Sequence, residues 1–155
     1  MKHVLDRLLP AQFDNVYRGN RLALWVFYPI TAITLWRSQH HMLAPDGGAQ
    51  SLATIPLNSY PDGASATIIA IFAQWGLIQL LLGMIMLLAA LRYKSMVPLL
   101  WLVLLVEWTG RGLVGQFKPV ETISTAPGQI GNLVVPIVAL VMLVLALWPE
   151  KNSEA

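Results

Sequence analysis

The chain has 155 residues, 56% of them hydrophobic and 12% charged, with no cysteine and a formal net charge of +2. Its mean hydropathy of +0.61 lies outside the balance of a soluble domain and marks an integral membrane protein. The lack of cysteine excludes disulfides, c-type haem attachment, iron–sulfur ligation and any thiol relay, and with them a quinone reductase of the disulfide-relay kind.

The expected architecture is an all-α membrane protein: one four-transmembrane-helix bundle with spans at about 21–37, 64–91, 97–117 and 128–148. Each can cross about 30 Å of hydrocarbon as a helix, the first only if its flanks continue the helix or snorkel. Basic residues sit beside the spans rather than on one face, so the bilayer, not nucleic acid, is the expected partner. Lys2, Arg7, Arg18 and Arg21 precede the first span, Arg92 and Lys94 separate the second and third, and Lys151 follows the fourth, whereas Arg37 and Lys118 flank the other side. Cytoplasmic segments carry the excess of Lys and Arg, which predicts both termini inside and the long loops outside.

In chain order, Val4, Leu5, Leu8 and Leu9 alternate with Lys2, Asp6 and Arg7 at helical spacing until Pro10, the pattern of an interfacial helix lying on the cytoplasmic leaflet within residues 1–17. No small-residue cleavage motif follows Trp36, so the first span is expected to persist in the mature protein. That span contains Pro29, and Thr31, Thr34, Ser38 and His41 share one face if the helix continues past Arg37. Their hydroxyls either lead a polar stripe outward or satisfy helix carbonyls and support close packing.

A long hydrophilic loop follows, punctuated by Pro45-Asp46-Gly47-Gly48 and Pro61-Asp62-Gly63. Pro presets a turn, Asp bonds its local backbone and Gly accepts the left-handed conformation, so both are read as turns. Between them Leu52, Ile55, Leu57 and Tyr60 are expected to fold back onto the bundle as an ordered cap. On the second span Gly76, Gln79 and Gly83 share a narrow face that permits close helix approach. The short Arg92-Tyr93-Lys94 turn predicts that the second and third helices are antiparallel neighbours.

The third span holds the main functional clue: Glu107 and Arg111 one helical turn apart, with Trp108 between them and Gly110, Gly112 and Gly115 following. Ionisable groups inside a span face the protein interior, find partners and mark a possible site. The fourth span opens with Pro127-Gly128-Gln129-Ile130-Gly131-Asn132 and carries Pro136, one turn beyond Asn132. A kink there would free carbonyls near Asn132. Counting about 1.5 Å per residue from the outer boundary places Glu107 roughly 15 Å deep and Arg111 roughly 9 Å deep. Tyr28, Thr31, Thr34, His41, Gln79 and Asn132 fall in the same outer half, while the inner halves are almost wholly apolar. One polar cluster beneath the long loop, drawing on all four helices, is therefore expected.

Three readings of that cluster stay open. Glu107 and Arg111 form a structural ion pair that fixes helix register, or they floor a ligand pocket, or Glu107 alternates between proton and substrate in a small dimeric proton-coupled transporter. An oxidoreductase acting on quinone or lipid has no redox centre in the chain. His40 and His41 are adjacent and cannot both face one interior point, and Asp46 and Asp62 lack EF-hand spacing, so neither cofactor nor metal is expected, and no catalytic signature points to an enzyme.

The Pro/Gly outer loop, Gly76 and Gly83 in the second span, Arg92 at its end and Gly110-Arg111 late in the third resemble, at the level of pattern, small bacterial four-helix membrane proteins of the DoxX-like group. The resemblance implies a bacterial inner-membrane location. An accessory or small-ligand and lipid-binding module is the reading that results, with a homodimer or larger membrane complex as its protein partner.

Overall fold

The structure, a computed structural model, describes residues 2–148 and, of Lys2 and His3, the backbone alone. Lys151, one of the residues used to place the C-terminus, lies outside the described residues. Among those described there are five α-helices and no strand: α1 (Lys2–Leu8), α2 (Arg21–Leu43), α3 (Asp62–Arg92), α4 (Val97–Phe117) and α5 (Pro127–Leu147).

Three helices are long and apolar enough to cross a membrane: Asp62–Arg92, Lys94–Phe117 and Pro127–Leu147, with mean hydropathies of 2.1, 1.5 and 2.7. Only 17% of the most apolar α3 window is buried inside the protein. Its outward residues, among them Ile78, Leu81 and Met84, need an apolar surrounding. This is the pattern of a multi-pass membrane protein. The helix α2 is comparably long, but Arg37, His40 and His41 interrupt its apolar character.

Local chemistry sets the helix ends. The Asn20 side chain accepts the Leu22 N–H at 2.9 Å and caps α2, which runs past the predicted end at 37 to Leu43. The Pro61-Asp62-Gly63 run is not a separate turn as expected. Pro61 is the N-cap of α3 and Asp62 lies in its first turn, where a carboxylate meets the positive end of the helix dipole. The helix α5 continues unbroken through Pro136.

Packing follows close approach. Most contact lies between α2 and α3 and between α4 and α5. A Cβ on Gly76 would stand 2.8 Å from the Met42 nitrogen and 2.9 Å from the His41 Cβ, and one on Gly83 would stand 2.9 Å from Leu35 Cδ2. The absence of side chains at these two positions is what lets α3 lie against α2. By contrast α3 and α4, joined by one 3-10 turn at Lys94–Met96, share few contacts. The short turn joins them as consecutive neighbours, as expected, but they pack sparsely because the small residues of α3 face α2 instead. Gly110 and Gly115 of α4 meet nothing within 4 Å; the tight contact on that side belongs to Gly131 of α5, against the Trp108 ring.

The apolar core lies toward the end of the bundle that holds the α3–α4 turn. Trp101 is fully buried, edge-on to Phe27 at 5.6 Å, and donates its Nε1–H to the Ala23 carbonyl at 3.2 Å. Met86, Ala89, Ala90, Leu104, Ala139 and Leu143 close round it. The N-terminal segment seals this end rather than merely lying alongside it. Arg7 donates to the Leu147 carbonyl at 3.1 Å, a cation at the negative end of α5, and Gly19 packs against the Ala146 backbone. The Asp14 backbone and the Ser95 hydroxyl exchange hydrogen bonds of 2.8 and 3.0 Å. The Arg18 guanidinium and the Val16 N–H hold the Asp14 carboxyl at about 2, below its usual 3.8, so the pair stays ionised through the neutral range. Val4 and Leu5 of α1 are exposed.

The loop between α2 and α3 is ordered. Ala49, Ile55 and Leu57 are buried against Ile68, Ile69 and Phe72 of α3, as the apolar content of the loop predicts. Gly47 and Gly48 adopt φ of 61° and 69°, left-handed values that suit glycine. Asp46 accepts the N–H groups of Gly48, Gln50 and Ser51. Burial pushes its carboxyl up, and the Ser51 and Gly48 bonds more than offset this, leaving it below the usual value. Thr54 ties this loop to the one between α4 and α5: its hydroxyl donates to the Ser124 carbonyl at 2.8 Å and its carbonyl accepts the Ile123 N–H at 2.9 Å. The two loops together form a roof.

Candidate functional site

Beneath that roof one polar chain crosses three helices. Arg37 of α2 donates to Gln79 Oε1 at 3.1 Å, and Gln79 Nε2 donates to Glu107 Oε1 at 3.1 Å. Arg111, one turn along α4, donates to the same carboxylate oxygen. Because its oxygen faces a guanidinium and its nitrogen a carboxylate, the Gln79 amide has only one favourable orientation. The order Glu then Arg at i, i+4 is the favourable one on a helix. The chain bridges α3 and α4 where their helix packing does not.

Two indoles complete the arrangement. The Arg37 guanidinium carbon lies 5.3 Å from the Trp75 ring centroid and 4.9 Å from that of Trp108, and Arg111 lies 4.9 and 4.2 Å from the same two rings. Both cations are within reach of the negative faces of both rings. Trp108 is held in place by Gly131, where a Cβ would stand 2.5 Å from its ring. The charge count is two guanidiniums to one carboxylate. Glu107 Oε2 and Asn132 Oδ1 are buried and no hydrogen bond reaches them.

The cluster opens into a cavity of about 390 Å³, within the range of small-molecule sites. Arg37, Arg111, Asn132 and His41 contribute polar groups to its lining, and Ile55, Ile71, Phe72, Trp75 and Val120 contribute apolar wall. The first turn of α5, Pro127 to Gln129, lies along it.

Of the residues expected from sequence, Gln79, Glu107, Trp108 and Arg111 come together as one network. Asn132 lines the cavity beside them. His41 also lines it, but its Nδ1 bonds the Gly47 carbonyl at 2.9 Å and its ring packs on Trp75, so it anchors the loop. Thr31 and Thr34 are not in the cluster: their hydroxyls donate to Phe27 and Ile30 carbonyls at 2.8 Å. That backbone bonding lets them lie buried between helices with no outside partner. Tyr28 is also elsewhere, edge-on to Trp25 at 5.8 Å. Sequence reasoning missed Arg37, read as a topology residue, and Trp75. Arg37 lies one turn before His41 and Trp75 one turn before Gln79, so helical spacing from residues already singled out was the available signal.

Among the described residues no group of three or more His, Asp or Glu is placed to hold a metal ion. What the arrangement can do chemically is present two fixed cations to a ligand beneath an apolar wall. No protein-family model, no curated protein and no solved structure matches this chain.

Proposed function

We propose that this chain is a four-helix bacterial inner-membrane protein, with α2 as the fourth span and both termini cytoplasmic, that binds a small ligand or lipid in the roofed outer cavity. It acts as an accessory module, as a homodimer or within a larger membrane complex, and α1 lies at the cytoplasmic interface. The basic residues near the N-terminus and at the α3–α4 turn support this orientation, and the DoxX-like pattern supports the compartment. The chain has no cysteine, so single cysteines introduced at Ser59 and at Lys94 report it directly. A membrane-impermeant maleimide applied to intact spheroplasts is expected to label Ser59→Cys and spare Lys94→Cys; the reverse pattern would overturn the topology.

One observation carries the functional reading: the Arg37 and Arg111 guanidiniums, each near Trp75 and Trp108, line a cavity of about 390 Å³. A purely structural ion pair needs no second cation and no space beside it. Gly128 lines that space, and a Cβ added there meets nothing within 4 Å, so Gly128→Trp is expected to place its indole in the cavity with no clash at Cβ. Native mass spectrometry of protein extracted from membranes is expected to find a bound small molecule on the parent chain and none on Gly128→Trp. The same adduct on both would remove this cavity as its site.

Proton-coupled transport is a second reading, favoured by the buried, unpartnered Glu107 Oε2, an atom that a proton would convert into a donor.

A further inference from the structure

We infer that the ligand of the outer cavity is an amphiphile with a single negative charge, its carboxylate or phosphodiester head held by Arg37 and Arg111 and its apolar body laid against Ile55, Ile71 and Phe72. This rests on the cavity being a binding site and adds the chemical class of what it binds.

Charge balance is the first argument. Arg37, Arg111 and Glu107 leave one positive charge unmatched, Arg37 is half-buried, and the side chains of Arg111 and Glu107 are only 20% and 23% exposed. A cation held mostly out of water is unfavourable without a counter-charge, and one anion restores neutrality. A neutral ligand would leave the excess in place, and a cationic one would add to it.

Donor geometry is the second. The network takes a hydrogen bond from one nitrogen of each guanidinium. A guanidinium presents several N–H groups in a planar fork matched to carboxylate and phosphate oxygens. The indole faces compensate charge but supply no oxygen acceptor for those remaining groups. Glu107 Oε1 already receives Gln79 and Arg111, and neither guanidinium reaches Glu107 Oε2 or Asn132 Oδ1.

The backbone supplies a third argument. No side chain caps the N-terminus of α5, whose N-cap is Ala126, with Pro127 opening the helix. Ala126, Pro127, Gly128 and Gln129 all line the cavity, so the positive end of that helix dipole adds to the potential of the two arginines.

The walls then select the rest of the molecule. An inorganic anion would leave Ile55, Phe72 and Ala126 lining an unused apolar space. Trp36, Ile71 and Val120 on the rim are 60%, 59% and 60% exposed, so a chain longer than the cavity has an apolar exit.

The test uses the full chain in nanodiscs of zwitterionic lipid, with tryptophan fluorescence as the readout, since Trp75 and Trp108 flank the head site. Decanoate, decanol and decyltrimethylammonium share a tail and differ in charge. Decanoate is expected to bind saturably and at least about tenfold more tightly than decanol, with no saturable binding of decyltrimethylammonium. Arg37→Gln and Arg111→Gln should each weaken decanoate at least about tenfold and leave decanol unchanged. The charge preference of the parent chain decides by itself if a variant fails to fold.

Equal affinity for decanoate and decanol would overturn the inference and leave the binding site standing. No saturable binding of any of the three would remove both. Repeating the titration with phosphatidylglycerol in the disc identifies the source. Competition with decanoate assigns the head to a bilayer phosphodiester, and undiminished binding assigns it to a carboxylate arriving from outside; both outcomes support a monoanionic head.

Discussion

Replacing Glu107 with glutamine is expected to lower folding stability by about 2–3 kcal/mol while tightening, not weakening, the hold on an anionic amphiphile. Glutamine can still receive Gln79 and Arg111 through its amide oxygen, so the geometry survives. What is lost is the only negative charge in the cluster, leaving Arg37 and Arg111 close together on the same two indoles. The figure lies at or below the low end for a broken buried pair because the two side chains keep 20% and 23% exposure. Denaturant unfolding in micelles measures the first quantity and decanoate titration the second. A purely structural ion pair predicts the loss of stability without the gain in affinity. A proton carrier predicts uptake or efflux in proteoliposomes driven by a pH gradient and abolished in Glu107→Gln. Such flux would displace the binding reading in favour of transport.

Gly76→Ala is expected to destabilise the protein by about 1–3 kcal/mol or more and to dismantle the site, whereas Gly110→Ala is expected to be neutral or slightly stabilising. The chemical change is the same in both. At Gly76 the added carbon meets the Met42 nitrogen at 2.8 Å and the His41 backbone carbonyl carbon at 3.0 Å, atoms of a helix that cannot turn aside as a flexible side chain would. Relief requires α3 to move away from α2. Gly76 sits between Trp75 and Gln79, so the shift lengthens the Arg37–Gln79 bond and loosens the loop anchored by His41. At Gly110 no atom lies within 4 Å, and alanine is the better helix former. Thermal unfolding and decanoate binding of the two variants, measured side by side, check this. Comparable losses in both would mean that glycine matters for helix flexibility and not for close approach.

The sequence alone determined the helices, most of their ends, the ordered cap and the Glu107–Arg111 pair. Hydropathy, helical period, capping and i, i+4 spacing are properties of neighbouring residues, and they act before any helix meets another. It also determined the face of Gly76, Gln79 and Gly83, since small residues in one row declare where a neighbour comes close. Which neighbour that is, and which side chains then meet, only the tertiary structure decided. Arg37 finds Gln79 because α2 packs on α3, and Trp108 reaches both cations because Gly131 of α5 makes room for its ring. Thr31 and Thr34 share the depth of the cluster but bond their own helix, whose carbonyls are the nearest acceptors. The excess positive charge that assigns the cavity its ligand is the sum of residues from two helices, Arg37 from one and Glu107 and Arg111 from the other. It exists only once those helices are placed together.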